Sequence, residues 1–121
     1  MSLQAIMGVD IGTTGCRAVI YTRDGSALAN QSLEYPLYTP KPGWAEQEPE
    51  EIYHAFVRVV RQAVFQAGLK PGGIAGICFS SVMHSVIPVD ASGNALYRML
   101  IWADSRSNQY TEMLKLSLIH I

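Results

Sequence analysis

A chain of 121 residues, 49% of them hydrophobic, has the material for one core and little more. Lys plus Arg number 9 against 10 Asp plus Glu, with no basic run, so the electrostatic footprint for nucleic acid or anionic lipid is missing. No apolar stretch approaches the ~18 residues of a membrane span, which excludes a helical membrane anchor within this sequence.

The opening "MSLQAIM" lacks a basic leader region and reaches Asp10 too soon for a secretion signal, so a soluble cytoplasmic protein is expected. Residues 5–11, "AIMGVDI", read as a short, well-buried strand. Residues 16–22, "CRAVIYT", are rich in β-branched and aromatic types and make a second strand. Asp24-Gly25 marks a tight hairpin, and "ALANQSL" follows as a third strand, giving an antiparallel meander. Three prolines in "EYPLYTPKPGW" (34–44) predict an irregular surface crossing. A helix is expected from Pro49, which suits a first turn, with Glu50 and Glu51 at its positive end. Ile52, Phe56, Val59, Ala63 and Val64 fall on one face of it, and Gly68 ends it. "GIAGICFSS" (73–81) reads as a buried strand, "SVIPVD" and "LYRMLIWAD" as two more strands, and Ser105 onward as a helix start. Cys16 and Cys78 stand in no metal or redox spacing and are expected to be free, buried thiols of a reducing compartment.

The chemistry concentrates in "DIGTTGCR" (10–17). Glycines at 12 and 15 let the backbone take unusual angles and approach a ligand, and concave runs of amides bind anions. Thr13 and Thr14 add hydroxyl donors, and Arg17 adds a cation for phosphate oxygens. Asp10 would repel a bare phosphate, so it fits only with a divalent cation or its water shell between them. The pattern is neither a Walker A loop nor a dinucleotide turn. Its competitor is a plain hairpin with a polar tip. The strand order around it tilts the choice toward a ribonuclease-H-like, actin-like ATPase α/β domain, whose mixed sheet opens with such a meander.

Three later stretches, "GWAEQEP" (43–49), "FSSVMHSVIPVD" (79–90) and "LIWADSRS" (100–107), follow the turn in order. With them the sequence resembles the FGGY carbohydrate kinases, and among these the gluconate kinases most, from about Ile6 to about Lys115. The resemblance implies ATP and Mg2+ as cofactors and a sugar or sugar acid as acceptor. It places Asp10, Gly12, Thr13, Thr14 and Arg17 on the family's first phosphate hairpin, with Asp10 toward the metal. It sets Met83, His84, Trp102, Asp104 and Arg106 about the sugar pocket. From the residues alone, His84 reads as a hydrogen-bonded core histidine and Met83 as packing, while Trp102 also reads as core, Asp104 as a helix cap and Arg106 as a solvated first-turn residue. "GWAEQEP" reads as structural. Xylulose kinases carry glutamine where this chain has Val82, which favours a sugar acid.

By the same resemblance, residues 1–121 are the opening part of the first of two domains. The catalytic aspartate, second phosphate loop and adenosine site would lie in sequence beyond it, so this chain alone is expected to be inactive and either to self-associate or to be marginally stable. The last few residues, about Leu116 to Ile121, are not part of the resemblance, and the sequence leaves open whether they are native. Other classes stay open: a pentulose kinase of the same family, a chaperone-type or cytoskeletal ATPase, and a non-catalytic binding module.

Overall fold

The structure, a computed structural model, describes residues 5–118, the last two by backbone alone. In chain order the elements are β1 (Ala5–Ile11), β2 (Gly15–Tyr21), β3 (Ala27–Glu34), β4 (Glu46–Gln47), α1 (Pro49–Ala67), β5 (Ile74–Ser81), β6 (Met99–Leu100) and α2 (Asn108–Leu118). They divide into two compact units: Met1–Pro36 with Glu48–Met83, and Leu37–Gln47 with His84–Ile121.

The first unit is a four-stranded mixed sheet ordered β3-β2-β1-β5, with α1 on one face. β1 to β3 are the expected antiparallel meander, and β5 joins β1 in parallel after the helix. Alternation along the strands sets the two faces apart. Ala5, Met7 and Val9 of β1 and Cys16, Ala18 and Ile20 of β2 are all buried, and they share a core with Ala55, Val59 and Ala63 of α1. Pro49 opens the helix and Gly68 closes it in the left-handed conformation at φ 61°, its amide donating to the Phe65 carbonyl. Gly25 takes φ 89° in the β2–β3 turn, as the Asp-Gly signal requires.

Two expectations fail here. β5 is not buried: every residue after Ile74 is exposed, because it forms an edge of the sheet and α1 covers the opposite half. Phe79 reaches the helix, its ring centroid 5.7 Å from that of Phe56. Cys78, on this strand, is therefore exposed, while Cys16 is buried as read.

The second unit is built on the two-residue antiparallel ribbon β4–β6, extended by single bridges Tyr38–Glu46 and Val86–Leu100. The strands expected over 85–90 and 96–104 shrink to β6 and isolated bridges. Pro88 has no amide to give, and the chain instead turns at Asp90, whose carboxylate accepts from the amides of Ser92 and Asn94 and from the Asn94 side chain. The helix expected from Ser105 begins at Asn108. Of the residues whose native origin the sequence leaves open, 119–121 lie outside the described ones. No described helix is long and apolar enough to cross a membrane.

Candidate phosphate and acceptor sites

The turn between β1 and β2 is closed by the Gly12 amide donating to the Gly15 carbonyl at 2.9 Å. Gly15 has a steric reason to be glycine: a Cβ there would stand 2.7 Å from the Leu33 carbonyl oxygen of β3. Asp10 and Arg17 are cross-strand partners just before and after this turn. Alternation puts both on the face of the sheet away from α1, and both are exposed. Among the described residues neither makes an ion pair or a side-chain hydrogen bond. With Gly12, Thr14, Gly15 and Glu34 they line a cleft of about 360 Å³. Beside it, the uncovered sheet face forms a shallow hollow of about 270 Å³ around Gly8, where a Cβ would meet nothing within 4 Å.

This arrangement suits a phosphate-bearing ligand with a hydrated cation. Two carboxylates, Asp10 and Glu34, line the cleft, and among the described residues no three or more His, Cys, Asp or Glu side chains come together so as to hold a metal ion by themselves. Magnesium is commonly held in that way, by one or two carboxylates, retained waters and the phosphates of its ligand. The residues present fit such an ion, with Asp10 as the carboxylate beside the turn.

Behind the turn stands Tyr35, which the sequence reading did not single out. It is 8% exposed, and burial pushes its hydroxyl up to about 12, so it remains a donor at ordinary pH. The hydroxyl donates to the Gly12 carbonyl, and the Tyr35 amide donates to the Thr14 carbonyl at 3.2 Å.

Met83, 72% exposed, closes the first unit, and His84 begins the return segment of the second. His84 sits at φ 63°, the one non-glycine residue with positive φ among the described residues. Holding a histidine in that region costs on the order of 1 kcal/mol, and such strain collects at ligand sites. Trp102 occupies a tight turn closed by the Asp104 amide donating to the Ile101 carbonyl at 2.9 Å, and its indole is 61% exposed.

Asp104 and Arg106 are engaged within the unit. Asp104 Oδ2 accepts from the Ala45 amide at 2.8 Å, and both carboxylate oxygens accept from the Arg106 guanidinium at 2.7–2.9 Å. Arg106 Nη2 also donates to Glu46 Oε1 at 2.6 Å, and its guanidinium lies 3.7 Å from the Trp44 ring centre. Glu46, 2% exposed, further accepts from the Tyr97 hydroxyl at 2.9 Å. Burial alone would raise the Glu46 carboxyl, but the bonds from Arg106 and Tyr97 and the nearby Arg106 and Arg98 charges outweigh it and hold it low. The Arg106 bonds likewise lower Asp104, and Asp104 in turn keeps Arg106 firmly protonated. Gly43, at φ 78°, seals the junction: its carbonyl accepts from the Ser105 amide and hydroxyl, and a Cβ there would stand 2.7 Å from Ser105 Oγ. "GWAEQ" and "WADSR" are thus one clasp, with Glu46 at its buried end.

Comparison with known proteins identifies the family of the chain. Residues 5–120 match the model of the N-terminal domain of the FGGY family of carbohydrate kinases. The chain is 40% identical to a gluconokinase of Bacillus subtilis over 110 residues, 91% of this chain and 21% of that protein. It is 36% identical to a glycerol kinase of Alkalilimnicola ehrlichii over 114 residues, 93% of this chain and 23% of that protein. It superposes on a ligand-bound xylulose kinase from Lactobacillus acidophilus with a TM-score of 0.87 at 33% identity, over 95% of this chain and 23% of the other. The chain therefore spans between a fifth and a quarter of the length of the curated relatives it matches.

Proposed function

The chain belongs to the FGGY family of carbohydrate kinases, and we propose that it is the opening part of a cytoplasmic, ATP-dependent kinase whose acceptor is a sugar acid, gluconate. The observation that carries the phosphate half of this reading is the pair Asp10 and Arg17: opposite charges in register beside a glycine-bounded turn, both exposed and bonded to nothing described. Arg17 meets phosphate oxygens of the nucleotide, with the Thr13 and Thr14 hydroxyls as further donors over Gly12. Asp10 holds the hydration shell of Mg2+, which when bound offsets phosphate charge as the terminal phosphoryl group is transferred.

His84 and Trp102, both of the second unit, are assigned to the acceptor side. The His84 imidazole, presented by its left-handed backbone, hydrogen-bonds a hydroxyl or the carboxylate of the acceptor, and the exposed Trp102 indole offers a flat wall to its carbon chain. Asp104 and Arg106 serve this side by fixing the turn that carries Trp102. Gluconate is favoured over xylulose by Val82, where xylulose kinases carry an amide, and by the 40% identity to a gluconokinase.

Phosphoryl transfer also needs a base for the acceptor proton. No carboxylate of this chain is assigned that role; it falls to the rest of the kinase, which with the acceptor is the chain's main partner. The test is acceptor-dependent ADP release by the complete kinase with gluconate, xylulose and glycerol, beside residues 1–121 alone. Gluconate should lead the panel and the isolated chain should be silent. Equal rates on gluconate and xylulose would remove the sugar-acid assignment. Nucleotide hydrolysis indifferent to every acceptor would point to a chaperone-type ATPase instead.

A further inference from the structure

We infer that Tyr35 is a positioning residue of the phosphate turn, the group that keeps the turn's carbonyls away from a bound anion. The inference rests on the reading of residues 10–17 as a phosphate site. A two-residue hairpin turn has backbone oxygens as well as amides at its tip, and a carbonyl facing a phosphate repels it where an amide attracts it. Glycine at both ends makes this turn able to bind closely, and also able to rotate its peptide planes at little cost. Some other group must select the orientation.

Tyr35 makes the contacts that do so. Its hydroxyl holds the Gly12 carbonyl, and its own amide holds the Thr14 carbonyl, so two oxygens of the turn are drawn toward β3 by one residue. In a plain two-residue hairpin the flanking residues exchange both of their hydrogen bonds. Here the Gly12 amide pairs with the Gly15 carbonyl, while the Gly12 carbonyl accepts from the tyrosine.

Tyr35 is itself well fixed. Its ring lies in the core shared by β1, β2 and α1, and the following Pro36 restricts its backbone to extended conformations. Burial, with the neighbouring Asp10 charge, keeps the hydroxyl protonated, so it donates across the range in which kinases work. The position would tolerate phenylalanine for packing; only the orientation of the turn requires the hydroxyl.

The test is Y35F in the complete kinase, followed by amide NMR with two probes used separately, inorganic phosphate and Mg-ADP. In the parent, the Gly12–Gly15 amides should shift saturably with both probes. In Y35F the affinity should fall about tenfold, and hydrogen exchange at the turn should speed up, while amides of the β1–β3 ladder keep their protection. Affinity within twofold of the parent would overturn the inference and leave the phosphate reading standing. Absence of any turn shift in the parent would overturn the phosphate reading itself, and the inference with it. Loss of protection throughout β1–β3 in Y35F would make the tyrosine a fold residue and also overturn the inference.

Discussion

Glu46→Ala separates a structural clasp from a sugar-binding cluster. Glu46 is buried at 2% exposure, and the substitution removes a 2.6 Å bond from Arg106, a 2.9 Å bond from Tyr97 and the 3.9 Å Arg98 contact. Removing one member of a fully buried ion pair costs about 3–5 kcal/mol, because the partner's charge stays behind without compensation. Arg106 keeps Asp104, and both arginines are partly in contact with water, so the lower end, about 3 kcal/mol, is expected. An entropy of unfolding near 2.1 cal/mol/K per residue makes 1 kcal/mol worth roughly 4 °C for a chain of this length, and the melting midpoint should drop by about 12 °C. Glu46→Gln keeps size and an acceptor and should lose only about 1 kcal/mol, the difference between a charged and a neutral hydrogen bond. The assay is thermal unfolding followed by tryptophan emission, since Trp44 lies beneath the Arg106 guanidinium. A Glu46→Ala midpoint within about 2 °C of the parent would refute the reasoning, since a loss that small belongs to a solvated surface pair.

Acid should act through the same groups. Glu46 and Asp104 have lowered carboxyls in the folded chain, so their contribution is fully present above the unfolded values, ~4.3 and ~3.9, and is lost as pH falls through the lower folded ones. Melting midpoints should hold from pH 7 to 5 and fall below about pH 4; a rise on acidification would contradict this. His84→Gly relieves a left-handed backbone and should leave the melting midpoint unchanged or raised, while the Michaelis constant for the acceptor rises in the complete kinase. An unchanged constant would remove His84 from the acceptor side. Gly15→Ala drives a Cβ against the Leu33 carbonyl at 2.7 Å and should cost about 1–3 kcal/mol by urea unfolding; a neutral result would mean that β3 shifts freely.

The first sheet and its helix were legible because their signals are local. Met7 and Val9 alternate with Gly8, Asp-Gly sits at a turn, and Pro49 and Gly68 bracket one helical stripe. The exposure of β5 was not legible, since an apolar run such as "GIAGICFSS" reports only what a strand can bury and not what lies over it. The same limit exposed Cys78 and cut the strands of 85–104 to bridges: β propensity does not count hydrogen-bonding partners. At the candidate sites, the 10–17 turn announced itself by glycines, hydroxyls and charge packed into eight positions. Tyr35 and Glu46 did not, because their partners lie far away in sequence: Gly12 is 23 residues from Tyr35, and Arg106 is 60 from Glu46. One sign was available for Glu46, a carboxylate between Ala45 and Gln47 in a stretch already singled out beside Trp44.

Asp10→Ala in the complete kinase tests most directly whether the 10–17 turn handles the nucleotide phosphates. Asp10 is exposed and has no bonded partner among the described residues, so its loss should leave the fold intact and report on chemistry alone. Because metal and phosphate positioning matter most as charge shifts in the transition state, kcat with gluconate should fall at least about 100-fold. The Michaelis constant for gluconate should stay within about threefold of the parent's, as expected when an interaction of the transition state is removed. A raised constant with kcat preserved would contradict the account and move Asp10, and the turn with it, to the acceptor pocket.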